Sequence, residues 1–331
     1  MTTRRPQVCR DPVRRAVSSW LTSYAPTGPL LVAVSGGADS LALAAALMAI
    51  AADREPVAVT VDHGLQDGSA AQAQSCADQL RGLGFRRVEV LPVTVDGAGG
   101  PEAAARTARY RALSELALEC GSAPVLLGHT LDDQAETVLL GLGRGSGPRS
   151  IAGMRAWRVP WGRPLLGVRR AETESSCAAA GLLPWQDPHN ADPTFTRVRL
   201  RTEVLPLLER VLGGGVAGSL ARTAALQADD LDALDAVADR ARSAASSADG
   251  RTLDRVVLFD WPPAVRRRAV RSWLAGQQIL GLTADHLYRA DDLLLEGRNG
   301  AAVRLPGGLD LTRRGDRLRV EPAAVGSEPD Q

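Results

Sequence analysis

Short apolar runs alternate with helix-forming segments along the first 142 residues of the chain. Runs rich in β-branched residues predict strands at positions 30–34, 56–62, 87–95 and 124–127. Segments of strong helix formers predict helices over 12–24, from 39 onward, and over 68–83, 101–120 and 132–142. This alternation predicts an α/β fold with a doubly wound, mostly parallel sheet. Such sheets bind ligands beyond the carboxyl ends of their strands.

The pattern changes after position 142. Residues 143–161 are rich in Gly, Pro and Arg and predict a loop, while helices are expected over 172–180 and 198–210. The predicted domains are a catalytic domain (1–212), a helical connector (213–248) with one long helix over 216–245, a small α+β domain (249–321), and a polar tail (322–331). The expected elements of the α+β domain are helices over 264–275 and 284–295 and strands over 303–305, 309–313 and 318–320.

Composition limits the classes of protein to consider. The chain has 331 residues, 45% of them hydrophobic, which is typical of a globular protein with two or three domains. The longest apolar helical run is too short to span a bilayer, and the N-terminus lacks the apolar core of a signal peptide. Four scattered cysteines without a CxxC pair favour a reducing cytoplasm and speak against zinc or iron–sulfur sites.

All 39 basic residues are arginine, so a Schiff-base, Walker or nucleophilic lysine is excluded. The net charge is only +1, but the arginines are unevenly distributed. Residues 143–170 contain seven arginines and no acidic residue, and further arginines cluster over 197–201 and 266–271. Such basic stretches matter more than the net charge for binding phosphates.

The segment Ser35-Gly36-Gly37-Ala38-Asp39-Ser40 joins the first predicted strand to a helix. A glycine-rich turn at a helix N-terminus directs backbone N–H groups at one point, which is an anion site. Asp39 beside a phosphate is explained by a Mg²⁺ ion between them, or by simple capping of the helix. The alternative for the whole segment is an ordinary strand–turn–helix connection.

Other candidate residues follow the neighbouring strands. Asp62, His63, Gly128 and His129 should line the same nucleotide pocket, because parallel strand ends meet at one edge. Asp133 and Glu136 are three positions apart on one helix face and form a candidate ammonium-binding and proton-accepting pair. The alternative is that acidic residues merely favour the first turn of the helix.

Two sets of arginines are candidates for binding charge. Arg106 and Arg109 could face phosphates or the charge that develops on an activated base, although Glu102 and Arg106 also suit an ordinary surface pair. The alternating arginines 197, 199 and 201 suit a single-stranded base and its phosphates, the alternative being a solvated basic face. Trp157 and Trp161 could stack on bases or pack in the core.

Seven motifs occur in the order seen in tRNA(Ile)-lysidine synthetases, members of the PP-loop ATP pyrophosphatase superfamily, and the chain resembles that family densely over about 30–210. They are SGGADS (35–40), VDHGL (61–65), ARxxRY (105–110), GHxxDDQAET (128–137), RGSG (144–147), RPLL (163–166) and RxRxR…LPLL (197–208). The C-terminal part resembles the family's first C-terminal domain more loosely. Gln66, Thr130 and Val198 depart from the usual pattern, at positions that affect fine contacts.

The resemblance implies a PP-loop (adenine-nucleotide α-hydrolase-like) fold and an ATP-dependent ligase. ATP would adenylate the 2-carbonyl oxygen of the wobble cytidine of a CAU anticodon, and free L-lysine would then displace AMP to give lysidine. The phosphates would bind residues 35–40, with Mg²⁺ at Asp39, and lysine would bind Asp133 and Glu136. The residues implied for transition-state charge are Arg106, Arg109, Arg199 and Arg201, and those implied for tRNA are Arg144, Arg149, Arg197, Arg267, Arg268 and Arg271.

Three alternatives remain open at this point. A PP-loop tRNA thiolase, or another adenylating tRNA-modifying enzyme, would need a sulfur-handling group, and the chain has no CxxC pair. A non-catalytic tRNA- or nucleotide-binding protein would retain the loop without turnover. A small-molecule amidating ligase would not need the basic stretches. The oligomeric state is also open, with a homodimer among the options.

Overall fold

The computed structural model of the chain describes residues 11–64, 68–95, 100–121, 123–145 and 147–323. The polar tail lies almost wholly outside these ranges. The chain forms two compact units, Met1–Ala228 and Asp229–Gln331, and their boundary falls within the helix predicted over 216–245.

The first unit contains helices and strands in alternation up to residue 143. Its helices are α1 (Pro12–Tyr24), α2 (Ala38–Ala51), α3 (Ser69–Gly82), α4 (Pro101–Glu119), α5 (Leu131–Gly143), α6 (Pro148–Ile151), α7 (Arg170–Ala179), α8 (Thr196–Arg199), α9 (Leu205–Val211) and the start of α10 (Val216–Ala245). Its strands are β1 (Leu31–Ala33), β2 (Val57–Asp62), β3 (Arg87–Pro92), β4 (Val125–Leu127), β5 (Trp157–Arg158) and β6 (Trp161–Gly162).

The strands of the first unit form one six-stranded sheet in the order β3-β2-β1-β4-β6-β5. Every neighbouring pair is parallel except β5 and β6, so the predicted doubly wound, mostly parallel fold is confirmed. The chain moves outward from β1 to β3 and then returns to the other side of β1 with β4. The carboxyl ends of β1 and β4 therefore flank the topological switch point, where open α/β sheets bind ligands.

The residues of β1 show why both faces of this sheet are covered. Val32 packs with α1, α2 and α7 on one face, whereas Leu31 packs with α4 on the other. Successive strand residues point to opposite faces, so a continuous apolar run requires helices on both sides. Helix α2 is buried around most of its circumference, which explains its run of Ala and Leu.

The loop predicted over residues 143–161 is wrong in part. This stretch contains the short helix α6 and the strand β5, which forms a hairpin with β6 through Val159 and Pro160. Strand β6 pairs with β4 and so extends the main sheet. Two-residue strands carry too little periodicity to be predicted, and their pairing with β4 is what holds them in place.

The helix predicted over 198–210 is present but irregular. A π-helical segment (Leu200–Val204) joins α8 to α9. A π-helical turn shifts the helical register and redirects the side chains that follow it. Among the described residues no single helix is long and apolar enough to cross a membrane; Thr196–Val211 and Val216–Ala245, bent by 95°, meet the length and composition criteria only as a pair.

The second unit has an antiparallel four-stranded sheet in the order β7-β10-β9-β8. Its elements after α10 are β7 (Thr252–Asp254), α11 (Arg255–Phe259), α12 (Pro263–Gly276), α13 (Ala284–Leu295), β8 (Ala302–Leu305), β9 (Leu309–Arg314) and β10 (Arg317–Pro322). The predicted helices and the last three strands are confirmed, whereas β7 and α11 were not predicted. The core of this unit lies between α12, α13, the end of α10 and one face of the sheet.

Candidate active site

The loop after β1 is a compact turn held together by a serine hydroxyl. The Ser40 hydroxyl accepts a hydrogen bond from the Ser35 backbone N–H at 3.1 Å and donates one to the Gly37 carbonyl at 3.0 Å. Gly36 has a φ of +83°, a conformation that glycine adopts without strain. The turn runs directly into α2, whose first backbone N–H groups are an anion site. Ser40 thus shapes the predicted phosphate loop.

The ends of β1 and β4 meet at Gly128. A Cβ atom at Gly128 would lie 2.9 Å from the Ser40 backbone N and Cα, closer than real Cβ contacts. Only glycine allows the chain after β4 to approach the N-terminus of α2 this closely. Helix α5, which begins at Leu131, is therefore positioned directly beside the phosphate loop.

A single guanidinium, that of Arg170, contacts three predicted site carboxylates. Its Nε donates to Asp39 Oδ2 at 3.2 Å, and its Nη2 donates to Asp133 Oδ1 at 2.7 Å. Its Nη1 lies 3.7 Å from Glu136 Oε1. Asp39 from the phosphate loop and the acidic pair of α5 therefore belong to one charged cluster. Thr173 completes it by donating a hydrogen bond to Asp39.

Glu136 is the fully buried member of this cluster. Its Oε1 accepts a hydrogen bond from Arg201 Nε at 2.9 Å, and Arg197 Nη1 lies 3.7 Å from its Oε2. The guanidinium of Arg170 approaches the same carboxylate. A buried carboxylate needs such partners, because an unpaired charge away from water is strongly unfavourable.

Asp39 and Asp133 share Arg170, yet their pKa values shift in opposite directions. Burial raises the pKa of Asp39, and the hydrogen bond from Thr173 and the charge of Arg170 offset this only partly. Burial also acts on Asp133, but Arg170 and the hydrogen bonds from Thr130 outweigh it, so the pKa of Asp133 lies below its usual value. A proton that enters this pair therefore goes to Asp39 first.

Local hydrogen bonds fix the positions of these side chains. Thr130 and Asp133 form a capping box at the start of α5, with the Thr130 N–H donating to Asp133 Oδ2 at 2.8 Å. The adjacent Asp132 accepts a hydrogen bond from the Arg170 backbone N–H at 2.8 Å and so anchors the start of α7. Asp132 and Asp133 thus hold the backbone and side chain of Arg170, respectively.

Two histidines follow strands at the same edge and are neutral at pH 7. Burial and the charge of Arg109 lower the pKa of His63 to about 4, and burial together with neighbouring arginines lowers the pKa of His129 to about 4. His63 Nε2 accepts a hydrogen bond from Arg109 Nε at 3.0 Å. The Nδ1 atoms of both rings are buried and have no hydrogen-bond partner among the described residues.

Other predicted site residues lie apart from the carboxylate cluster. Arg106 stacks over the ring of Tyr110. Arg199 is 61% exposed and pairs with Glu203 one turn further along the helix. Arg144 and Arg149 are exposed beyond the C-terminal end of α5. Asp62 accepts a hydrogen bond from the Gly64 N–H at 3.0 Å and so closes the turn after β2.

The sequence as a whole matches known proteins along most of its length. Residues 11–208 match the PP-loop domain family, and residues 253–319 match the TilS substrate binding domain. The chain is 54% identical over 313 residues to the tRNA(Ile)-lysidine synthase of Rhodococcus jostii, covering 93% of this chain and 94% of that protein. The chain belongs to the tRNA(Ile)-lysidine synthase family. The expected family and the expected class of ATP-dependent ligase are both confirmed.

A relative from another genus belongs to the same family, and one solved structure has a similar fold. The tRNA(Ile)-lysidine synthase of Nocardia farcinica is 54% identical over 298 residues, covering 89% of this chain and 92% of that protein. The U34-tRNA thiolase NcsA from Methanococcus maripaludis, solved with its 4Fe-4S cluster, superposes with a TM-score of 0.53 at 18% identity, covering 64% of this chain and 77% of that one. This second likeness concerns the fold alone.

In this tRNA(Ile)-lysidine synthase family member, several arginines of α12 are occupied within the second unit. Arg266 is buried and donates to both oxygens of Asp291, at 2.7 and 3.1 Å. Arg268 donates to Asp235 at 3.0 Å, and Arg267 stacks over the Tyr288 ring with its guanidinium carbon 4.6 Å from the ring centroid. Arg271 is half-buried. The Arg267 side chain is 30% exposed, and its Nη1 also lies 3.8 Å from Asp291 Oδ2.

The sequence-based site omitted Arg170 and Thr173, both on α7. A signal for Arg170 was available, because it opens a helix whose first turn electrostatically favours acidic residues. An arginine in that position indicates an acidic partner elsewhere in the fold. The sequence did not identify that partner, since Asp39 lies 131 residues away.

Proposed function

We propose that this chain ligates free L-lysine to carbon 2 of the wobble cytidine in a tRNA(Ile) with a CAU anticodon. ATP would be cleaved to AMP and pyrophosphate, and the product, lysidine, would change decoding from AUG to AUA. The PP-loop domain supports ATP as co-substrate, and the family supports tRNA(Ile) as the other substrate. We expect the reaction to take place in the cytoplasm, without a membrane-bound partner.

One observation carries the proposal most directly. Arg170 contacts Asp39 in the phosphate loop and Asp133 in the acidic pair through a single guanidinium. The group that activates the base and the group that holds the amine are therefore only one side chain apart. Two successive attacks on the same cytidine require such proximity, because the adenylated base must meet lysine without leaving the site.

In the first step the 2-carbonyl oxygen of the cytidine attacks the α-phosphate of ATP, and pyrophosphate leaves. The backbone N–H groups of residues 35–40 would hold the phosphates at the start of α2. The oxygens of Asp39 and Asp133 converge on one cation, Arg170, and oxygen donors of this kind fit Mg²⁺. Asp39 would hold that ion, which would neutralise charge on the phosphates.

In the second step the ε-amine of lysine attacks carbon 2 and expels AMP. Asp133 and Glu136 would bind the ammonium group and accept its proton before attack. The lowered pKa of Asp133 keeps it ionised, so that it can hold the ammonium cation until the proton is transferred. The bound ammonium must compete with Arg170 for this carboxylate, so lysine binding would rearrange the cluster.

The structure favours particular arginines for the developing charge. Arg201 reaches Glu136, whereas Arg199 faces outward beside Glu203, so Arg201 is the stronger candidate of the pair. Arg109 donates to His63 at the end of β2, on the nucleotide side of the site. Arg106 lies in a different place, next to Tyr110.

The decisive experiment measures labelled lysine transfer to a CAU-anticodon tRNA(Ile) with ATP and Mg²⁺, and follows AMP in the same reaction. Stoichiometric lysine incorporation and AMP release are expected. AMP release without lysine would indicate an adenylating enzyme with another nucleophile. The absence of both products would leave only a nucleotide-binding fold. Omission of tRNA is the control, because adenylation of the base requires it.

The alternative of a thiolase gains no support from two of the three described cysteines. Cys76 and Cys177 are buried, and burial raises the pKa of each thiol to about 11. Such thiols carry almost no thiolate at neutral pH and are poor nucleophiles.

We also infer that the second unit helps to select tRNA(Ile), with Arg267 and Arg271 as candidate phosphate contacts. A chain lacking residues 216–331 should then lose discrimination against methionine tRNA.

A further inference from the structure

A cleft of about 580 Å³ lies between α4 and the β5–β6 hairpin. Its charged and aromatic lining consists of Arg106, Tyr110, Arg158, Trp161 and Arg163. The hairpin was expected to be a loop, so this cleft could not be predicted from the sequence. It lies outside the carboxylate cluster around Arg170.

The cleft brings the guanidinium groups of three arginines together. Among the described side chains, which do not include Glu102 on α4, no carboxylate forms an ion pair with Arg106, Arg158 or Arg163. Burial lowers the pKa of Arg163, and the charges of Arg106 and Arg158 lower it further. The Arg163 Nε is buried and lacks a hydrogen-bond partner within the described part of the chain. Like charges held in one cleft favour an anionic ligand.

Two aromatic rings lie between these charges. Tyr110 and Trp161 meet edge to face with ring centroids 4.6 Å apart. The guanidinium carbon of Arg106 lies 4.8 Å from the Tyr110 centroid, and its Nη2 donates to the Tyr110 hydroxyl at 3.2 Å. Rings beside arginines are typical of sites for single-stranded nucleotides, where the base stacks and the phosphate binds a guanidinium.

The cleft lies near the carboxyl end of β4, where the candidate active site is. Arg106 and Arg163 are close enough to lower the pKa of His129 at the end of β4. Trp161 pairs with Val125, three residues before Gly128. At about 3.3 Å per strand residue, Trp161 lies roughly 10 Å behind the strand end. The cytidine that attacks ATP must reach that end, so the cleft suits a neighbouring nucleotide.

We propose that this cleft binds a nucleotide of the anticodon loop adjacent to the modified cytidine, with its base against Trp161 and Tyr110 and its phosphate on Arg158. The proposal rests on the proposed function for the identity of the RNA. It assigns the β5–β6 hairpin a role in holding the unstacked loop while the wobble base enters the active site. The positive charge of the cleft would bind the RNA backbone, and the two rings would stack on the base.

The test uses Arg158→Ala in the full chain and an isolated anticodon stem–loop RNA with a CAU anticodon. The Arg158 side chain is exposed and makes no hydrogen bond or ion pair with the described residues, so its removal should leave the backbone pairing of Arg158 with Trp161 and the fold intact. The RNA affinity should fall about tenfold, and the slope of log affinity against log salt should decrease by about 0.7, the value for one single-strand phosphate contact. Arg111→Ala is the matched control, since this arginine lies on the same helix as Tyr110 and pairs with Glu115 on the surface. It should change neither quantity.

A second experiment tests stacking. The base is removed from each of the two nucleotides that flank the wobble cytidine in turn. Removal of the base that occupies the cleft should weaken binding about tenfold in the unaltered protein. The same RNA change should have little effect in Trp161→Leu, because the stacking partner is already lost. The assignment of the Trp161 ring would be overturned if removal of either flanking base weakened RNA binding by the same factor in Trp161→Leu as in the unaltered protein.

The outcomes separate this proposal from the proposed reaction. RNA affinity that is unchanged in Arg158→Ala would overturn the cleft assignment. So would a raised KM for ATP with unchanged RNA affinity, which would instead assign the cleft to the triphosphate of free ATP. Binding is measured without turnover, so a protein that fails to transfer lysine can still show the predicted loss of RNA affinity. In that case the RNA-binding role of the cleft would be supported and the proposed lysine transfer would be refuted.

Discussion

Replacement of Arg170 by glutamine should destabilise the first unit far more than the same replacement of Arg169. Arg170 is 22% exposed and donates charged hydrogen bonds to Asp39 and Asp133 at 3.2 and 2.7 Å. Each such bond contributes about 1.5–3 kcal/mol, and partial access of water reduces the sum, so we expect a loss of about 2–4 kcal/mol. The loss also leaves three carboxylates facing one another.

Arg169→Gln is the matched control because it removes the same charge one residue earlier. Arg169 is 48% exposed and pairs with Asp132 at 3.0 Å. Exposed pairs contribute at most about 1 kcal/mol, so this variant should be nearly as stable as the unaltered chain. The measurement is the urea midpoint at constant slope, followed by tryptophan fluorescence.

The effect of Arg170→Gln should also depend on pH in a defined direction. Arg170 helps to hold the pKa of Asp133 below 3.8, so this carboxylate contributes stability above pH 3.8 that is lost as the pH falls further. Without Arg170 that contribution shrinks, and the variant's deficit should be largest near pH 7 and smaller below about pH 4. Equal losses in the two variants, or a deficit that does not change with pH, would refute the role assigned to the cluster.

Three further predictions concern the active site. Asp133→Asn should block lysine transfer while some tRNA-dependent AMP formation remains; full lysine transfer would remove the amine-binding role. Arg201→Gln should lower kcat for lysine transfer by about tenfold or more, since it contacts the buried Glu136, whereas Arg199→Gln should change kcat less than about twofold. Stability should fall as the pH drops from about 6.5 towards 4, because histidines with a folded pKa of about 4 protonate first in the unfolded chain; His129→Gln should weaken this dependence, as read from thermal midpoints.

Much of the architecture followed from local pattern. The apolar run of β1 packs against both faces of the sheet, as a run without alternation predicts. The phosphate loop was recognisable because its glycines, its serines and the following helix lie within six consecutive residues. The long helix Val216–Ala245 was predicted with its observed bounds, since its alanine-rich composition favours helix throughout.

The errors lie where short elements depend on distant partners. Strands β5 and β6 have two residues each, and only pairing with β4 makes them part of the sheet. The cleft beside Trp161 therefore went unpredicted as well. Arg199 and Arg201 lie about 200° apart around a helix and so face opposite ways, but only the tertiary structure decides that Arg201 is the one that meets the buried Glu136.

The sequence by itself determined the order of elements up to α5, the phosphate loop and the acidic run of α5, because each of these is encoded within a few neighbouring residues. Only the tertiary structure decided which charges meet. Arg170 joins Asp39 and Asp133 across 131 and 37 residues of chain, and these contacts, with burial, shift the pKa values of the two carboxylates in opposite directions. Charge interactions depend on distance and desolvation in space, and neither quantity can be read from separation along the chain.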